Sequence, residues 1–465
     1  MSEPMTSTAE GAVATRPLRQ VDAGTLRLLE APILPVLIRL AWPNVLVTVA
    51  QASTGLIETW WVAKLGTDAL AGMALVFPMV MLMGTISVGA LGGGISSAVA
   101  RALGAGRRQD ADALVLHAAV INVAFGLGFS ALFLLFGEPI YRLLGGRGAE
   151  LKAALAYSNV VFAGNVLIWL MNGLASVVRG TGNMFYPALV TSVGVLFLIP
   201  VSPLLIFGFG PVPPLGIVGG GVALVAYYLA GTLAMAWYIL SGRNSVRFRW
   251  VRLRWTYLGS IMRVGALSAL TSIQTNAIVV GTTALVAARA SVGAVAGFGT
   301  GVRLEYLLIP LIFGIGAPMV AMVGTNVGAG RYDRALRIAM TGAVLSFLVA
   351  ETIGLAAALC PKAWLTLFSV DPEMIRVGSA YLRMVGPSYG FFGLGFSLYF
   401  ASQGAGRMLW PVVGVLLRAT VALGGGWVAL LLTGSLSALF AALSIALVVY
   451  GLVVLAAVRA DVFTR

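Results

Sequence analysis

Nine stretches of the chain carry no Asp, Glu, Lys or Arg: residues 40–57, 69–100, 113–136, 153–178, 180–242, 264–288, 306–330, 384–406 and 419–458. A helix that crosses the hydrocarbon core of a bilayer needs about 20 apolar residues. Two of the stretches, 180–242 and 419–458, have room for two such helices each. Their turns are expected at FGFGPVPPLG (207–216) and LTGSLS (432–437), where Pro and Gly punctuate the pattern. A further run, 336–360, is interrupted only by Arg337 and Glu351. The ten-residue alternation of a membrane barrel is absent. Helices are the other way to satisfy backbone groups in lipid. The pattern therefore predicts an all-α integral membrane protein with about twelve transmembrane helices. They fall near 41–63, 69–100, 113–136, 153–178, 186–209, 215–240, 260–288, 292–323, 336–360, 375–402, 409–431 and 436–458.

Composition agrees. The chain is 59% hydrophobic and 10% charged, with a mean hydropathy of +0.97, whereas soluble domains carry about 25% charged residues. The net charge of +14 raises nucleic acid as a partner, but its placement argues against one. Arg101, Arg107 and Arg108 fall in one loop, Arg243, Arg247, Arg249, Arg252 and Arg254 in a second, and Arg331, Arg334 and Arg337 in a third. All three lie on one side if the spans alternate, while the opposite loops mix fewer bases with acids. This is the positive-inside bias. It predicts a multi-pass protein of the plasma membrane (a bacterial inner membrane) with both termini cytoplasmic. A lone cysteine, Cys360, excludes an intrachain disulfide. A lone histidine, His117, disfavours a His-based metal site and reads as a helix-packing or interfacial residue. Residues 1–24 lack the apolar core of a signal peptide and read as a tail. The stretch 25–40 reads as a surface helix leading into the first span.

The sequence also repeats itself. LGAGRRQDADA (103–113) and VGAGRYDRALR (327–337) align with Gly104 and Gly328 a difference of 224 apart, and VRGTGNMFYP (178–187) aligns with SQGAGRMLWP (402–411) at the same offset. ALAG (69–72) and AVAG (294–297) match at 225, which requires one inserted residue. The chain is thus read as two copies of a six-helix bundle. An N-terminal tail, 1–30, is followed by an N-lobe, 31–245, and a C-lobe, 246–465. An even number of spans per copy makes the repeats parallel, related by an axis along the membrane normal. Each GAGR is expected to close the basic-side turn between the second and third spans of its half, glycine allowing the tight turn. A phosphate-binding loop is disfavoured, because no GxxxxGK[ST] is present.

Three acids lie inside predicted spans: Glu58, Glu305 and Glu351. An ionised group at mid-membrane costs about 2.5–3.5 kcal/mol on insertion scales, so each must face the bundle interior, pair with a base or carry a proton. Arg303, Arg383 and Arg418 are the bases away from span edges. Arg303 and Glu305 do not share a helix face. Glu351 reads equally as a structural buried carboxyl. Asn165, Asn172, Gln274 and Asn276 are candidates to line a substrate cavity, or else to bond helix to helix.

Together, LIETWWVAKLGTDALAG (56–72), ARALGAGRRQDA (100–111), RGTGNMFYP (179–187), PLLIFGFGPVPPLGIVGGGVAL (203–224) and MVGTNVGAGRYDRA (322–335) resemble multidrug and toxic compound extrusion (MATE) transporters over about 35–460. The resemblance implies two six-helix lobes around a cavity that opens alternately to each side, and export of organic cations and other drugs in exchange for Na⁺ or H⁺. In the family an aspartate ends the first span, and here Glu58 stands in its place. An Asn and an Asp of the fifth span cooperate with that acid, and here Leu198 and Ser202 match them. The resemblance makes Glu58, with Ser202 as its expected hydrogen-bond partner, the N-lobe cation-coupling site. It makes Glu305 a C-lobe candidate, with Glu351 kept as a third. Na⁺ needs several converging oxygens, which the altered fifth span lacks, so H⁺ is favoured.

The sequence is thus read as a secondary-active antiporter that exports cationic or amphipathic small molecules, works as a monomer, and uses no cofactor beyond its coupling ion. A lipid-linked oligosaccharide flippase of the same architecture is the alternative, with Arg383 and Arg418 as its cavity bases. A non-transporting scaffold or receptor is disfavoured by the duplication. No enzymatic constellation is visible.

Overall fold

The computed structural model describes residues 22–462, without the side chains of residues 51–54, 461 and 462. Among them every named element is a helix, and the lone β-bridge, Phe209 with Val212, sits in the predicted Pro-rich turn. A short helix, Ala23–Glu30, leads in. The N-lobe then comprises span one (Ile33–Ala63), two (Thr67–Gly104), three (Arg108–Leu143), four (Gly148–Ala163 and Asn165–Gly180), five (Phe185–Phe207) and six (Ile217–Leu240). The C-lobe comprises span seven (Trp255–Ala287), eight (Val292–Gly328), nine (Tyr332–Leu359), ten (Pro372–Val385 and Tyr389–Ala405), eleven (Leu409–Thr433) and twelve (Leu436–Ala460).

Ten of these helices are long and apolar enough to cross a bilayer, and span four makes eleven if its two pieces, bent by 48°, count as one. The tenth predicted span passes no such test, because Pro387 in a 3₁₀ turn, Gly386–Ser388, divides it into two shorter helices. Proline removes one backbone donor and crowds the preceding turn. The helices also overrun their apolar runs. Span three reaches Arg108 and Leu143 where the pattern predicts 113–136, because a helix does not stop where the lipid does.

The duplication shows in the boundaries of several helices. Ala63 and Ala287, Gly104 and Gly328, Arg108 and Tyr332, Gly148 and Pro372, and Phe185 and Leu409 each differ by 224, and the starts Thr67 and Val292 by the 225 that the inserted residue requires. The two glycines of each GAGR have separate tasks. Gly106 and Gly330 take φ of +69° and +73°, and the following N–H of Arg107 or Arg331 bonds back to Ala102 O or Asn326 O. This left-handed helix ending favours glycine. Gly104 and Gly328 instead make room for the other lobe. A Cβ on Gly104 would overlap the carbonyl of Thr325, and one on Gly328 would overlap the carbonyl of Arg101. These two contacts exchange under the repeat, so the pseudo-twofold axis runs between them at the arginine-rich end of the bundle.

The lobes also trade helix ends. Leu37 and Ala41 of span one belong to the apolar core of the C-lobe, while Ile261 of span seven belongs to that of the N-lobe. The segment joining the lobes is extended and clamped to span three. Arg247 N–H donates to Asp112 (2.8 Å) and Arg254 N–H to His117 Nε2 (2.9 Å), while Tyr257 Oη donates to Asp110 (2.8 Å). The lone histidine is therefore a packing residue that holds the linker. The expected 25–40 surface helix is in fact broken at Ala31–Pro32, and its first part wedges between the lobes. Leu28 fills the space over Gly182, and Asn326 and Arg331 donate to the carbonyls of Leu28 and Leu29 (3.1 and 3.0 Å).

Gly104→Ala is expected to force the arginine-rich ends apart. Spin labels at exposed Arg108 and Asp333, in a Cys360→Ser background, should report a longer separation by double electron–electron resonance than in the parent. An unchanged distance would refute the close approach.

Candidate functional site

Each lobe buries one glutamate against a tyrosine. In the N-lobe, Glu58 lies one turn from the end of span one and is 6% exposed. It faces Tyr157 of span four and Tyr228 of span six. In the next turn Trp61 packs edge-on to Phe207 of span five at 6.0 Å, and Lys64 Nζ lies 3.7 Å from the centre of the exposed Trp60 ring. Glu58 Oε1, Trp61 Nε1 and Ser202 Oγ have no hydrogen-bond partner among the described residues. The expected Ser202–Glu58 bond is therefore not formed, although Ser202 is buried on span five, which packs along span one. A buried carboxyl oxygen without a donor is costly unless it takes up a cation or a proton.

In the C-lobe, Glu305 of span eight pairs with Arg418 of span eleven at 2.6 Å, the side chains 17% and 8% exposed. Tyr381 Oη donates to the other carboxylate oxygen at 3.5 Å. Phe392 and Tyr450 flank the guanidinium at 5.3 and 5.9 Å. Arg418 precedes a π-helical turn, Thr420–Gly425, a distortion that recurs at functional sites. Thr282 of span seven shares the cleft. Arg303, as its spacing requires, points away, over Phe368 at 5.7 Å.

Among the remaining predicted residues, Glu351 lies apart from Glu305. It accepts the N–H of Gly390 (2.8 Å) at the start of the second half of span ten, where a carboxylate complements the helix end. Asn165 is fully buried and donates to Gly126 O (3.0 Å), tying span four to span three rather than lining a cavity. Asn172 donates to Ser87 (3.1 Å) in the π-helical stretch Thr85–Leu91 of span two. On span seven, Asn276 is exposed and bonds within its own helix (2.9 Å), while Gln274 Oε1 is buried without a partner.

A third polar group was not singled out by the sequence reading. At the floor of the cleft between the lobes, Arg179 of span four and Gln403 of span ten line one small pocket with Phe313 and Phe400. Arg179 bonds to Ser176 Oγ (2.8 Å) and makes no ion pair with an acid among the described residues. Gln403 donates to Gly89 O (3.1 Å) and Ser268 Oγ (2.9 Å), and Ser97 donates to Gln403 O (2.5 Å), so it sews the two lobes together. The signal was present: Arg179 and Gln403 differ by 224, each immediately before the first glycine of the RGTG/QGAG repeat.

A family model, MatE, matches residues 43–204 and again 268–428. The FAD transporter of Shewanella oneidensis is 28% identical over 372 residues, 79% of this chain and 81% of that protein. The probable multidrug resistance protein NorM of Thermotoga maritima is 25% identical over 380 residues, 81% of each. Among solved structures, a MATE protein in its bent conformation superposes with a TM-score of 0.87 at 22% identity, over 95% of this chain and 98% of that one. An outward-facing multidrug resistance MATE transporter of the MOP superfamily superposes at 0.85.

The two glutamates should respond oppositely to neutralisation. Glu305→Gln leaves Arg418 buried without its counter-charge, which costs about 3–5 kcal/mol, and thermal unfolding in detergent should occur at a clearly lower temperature. Glu58→Gln removes no ion pair, and its unfolding temperature should equal or exceed that of the parent. Equal losses in the two variants would contradict the geometry.

Proposed function

The chain belongs to the MatE family of membrane transporters, and from that premise we propose that it is a proton-coupled exporter of amphipathic small molecules working by alternating access. The observation that carries the proposal is Glu58, a buried carboxyl with an unpartnered oxygen and no ion pair among the described residues. Burial disfavours the charged form of any carboxyl. A rearrangement that wets the site from the far side would let the proton go. Na⁺ needs several oxygens turned to one point, and of the two fifth-span positions that match the family's Asn and Asp only Ser202 keeps an oxygen, which does not reach the carboxylate. The arginine-rich end is assigned to the cytoplasm, with both termini on that side of a bacterial inner membrane and one chain as the working unit. The glycine contacts close that end, which leaves the cleft to open outward.

The names of the relatives point to two substrate classes, multiple drugs and a flavin dinucleotide. Cations suit the general family resemblance. Arg179, half-buried at the cleft floor with no ion pair among the described residues, favours a second reading in which the substrate carries an anionic group. The flippase alternative loses one of its two bases, because Arg418 is spent on Glu305.

In proteoliposomes with separately imposed pH and Na⁺ gradients, a pH gradient alone should drive transport of a cationic dye or of FAD. Glu58→Gln should abolish accumulation and Glu58→Asp should retain it. Accumulation at the parent rate by Glu58→Gln, or transport driven by Na⁺ alone, would overturn the proposal. Arg179→Gln should weaken FAD transport selectively if the anionic reading holds.

A further inference from the structure

We infer that Arg418 is a tethered cation: it fills, permanently, the place in the C-lobe that the exchangeable coupling cation takes in the N-lobe, so that only the N-lobe cycles. The inference rests on the reading of Glu58 as the cation site, and it adds the stoichiometry and the residue that sets it.

The two halves share one register. Tyr157 faces Glu58, and Tyr381 donates to Glu305. These tyrosines differ by 224, in helices whose starts, Gly148 and Pro372, also differ by 224. They are the same residue of the repeat, and each lobe uses it to receive a buried carboxylate. The carboxylates arrive by different routes. The counterpart of Glu58 is Thr282, in helices whose ends, Ala63 and Ala287, share the offset. Thr282 lines the cleft of Glu305 and Arg418. The C-lobe therefore moves its acid from span seven to span eight and keeps the tyrosine.

The decisive difference lies opposite. The counterpart of Arg418 is Gly194 of span five, since Phe185 and Leu409 start those helices at the same offset. A Cβ on Gly194 would overlap the ring of Tyr227. The N-lobe thus has a glycine, packed on the Tyr227 ring, where the C-lobe has its base, and its carboxyl is left with an unpartnered oxygen. In the C-lobe the guanidinium sits against the carboxylate at 2.6 Å.

Arginine stays protonated in proteins, and its backbone keeps it from leaving. A ligand drives a conformational cycle only if its occupancy or affinity differs between states, and a covalently held cation is present in every state. Besides Arg418, the titratable groups facing Glu305 are Tyr306 on its own helix and Tyr381 and Tyr389 of span ten, while Tyr450 of span twelve faces Arg418. None of these tyrosines is a second fixed cation. Removing the guanidinium should therefore turn Glu305 into a second exchangeable site.

Infrared difference spectroscopy of the purified protein in detergent, between acid and alkaline buffer, reads buried carboxyl groups as they take up protons. The parent should show a band that is lost in Glu58→Gln. Arg418→Gln should add a second band, absent again in Arg418→Gln/Glu305→Gln, and should raise proton uptake by one per molecule over the parent. Arg418→Lys, which restores a fixed cation, should not add it. If Glu58→Gln leaves the parent band intact, the N-lobe reading fails. If Arg418→Gln is folded and adds no band, the tethered-cation inference fails while the N-lobe reading stands. Should Arg418→Gln not fold, the double variant decides. Its proton number per transport cycle should equal the parent's, and a lower number would show that the C-lobe pair takes part in the cycle.

Discussion

A charge inside the bilayer has to be paired or neutralised, and this constraint organises the molecule. Water is not there to do it, and an ionised side chain alone costs several kcal/mol. The two lobes meet the constraint with one scaffold and two outcomes. Where span eleven supplies Arg418, the carboxylate of Glu305 is neutralised from within. Where span five has Gly194 packed on Tyr227, no internal base is supplied, and Glu58 is left open to a cation from outside. A nearly symmetric fold becomes chemically asymmetric through two changes, the acid moved from span seven to span eight and the base at the Gly194/Arg418 position.

Asymmetric chemistry serves transport only if the lobes can move relative to each other. Their contact at the arginine-rich end suits this. It is made of glycines against backbone carbonyls and of hydrogen bonds from Ser97 and Gln403, with no inter-lobe ion pair between spans two, eight and ten among the described residues. Backbone-to-backbone packing is specific in geometry and leaves few side chains to disentangle. The exchanged ends of spans one and seven, with the linker clamped on Asp112 and His117, keep the lobes joined while that contact opens. The short helix Ala23–Glu30, bonded to Asn326 and Arg331 and lying on Gly182, adds a bridge across the same seam.

Much of this was legible in the sequence, and the reasons differ by feature. Charge-free runs located the spans because lipid excludes charge. The 224 offset revealed the lobes because the copies kept their glycines where backbones touch. Pairing across the fold was not legible. Glu305 and Arg418 are 113 positions apart, and no periodicity joins span eight to span eleven. The break in span ten was hidden because Gly386-Pro387 sits within an otherwise apolar run. Glu351 and Asn165 were read as possible chemistry, whereas one bonds the start of a helix and the other ties two helices. A buried polar residue looks the same in sequence whether it serves packing or exchange. Arg179 and Gln403 were visible in principle, since the repeat aligns them, but comparing the halves residue by residue is needed to notice that the positions facing the cleft differ.

The central claim is that Glu58 exchanges a proton one turn from Trp61, which shares its face of span one and packs edge-on to Trp60. Equilibrium tryptophan fluorescence of the purified protein against pH tests this most directly, with Trp60→Phe/Trp61→Phe identifying the reporters. The account predicts a single reversible transition that vanishes both in that pair of substitutions and in Glu58→Gln. A transition from Trp60 and Trp61 that persists in Glu58→Gln would contradict it.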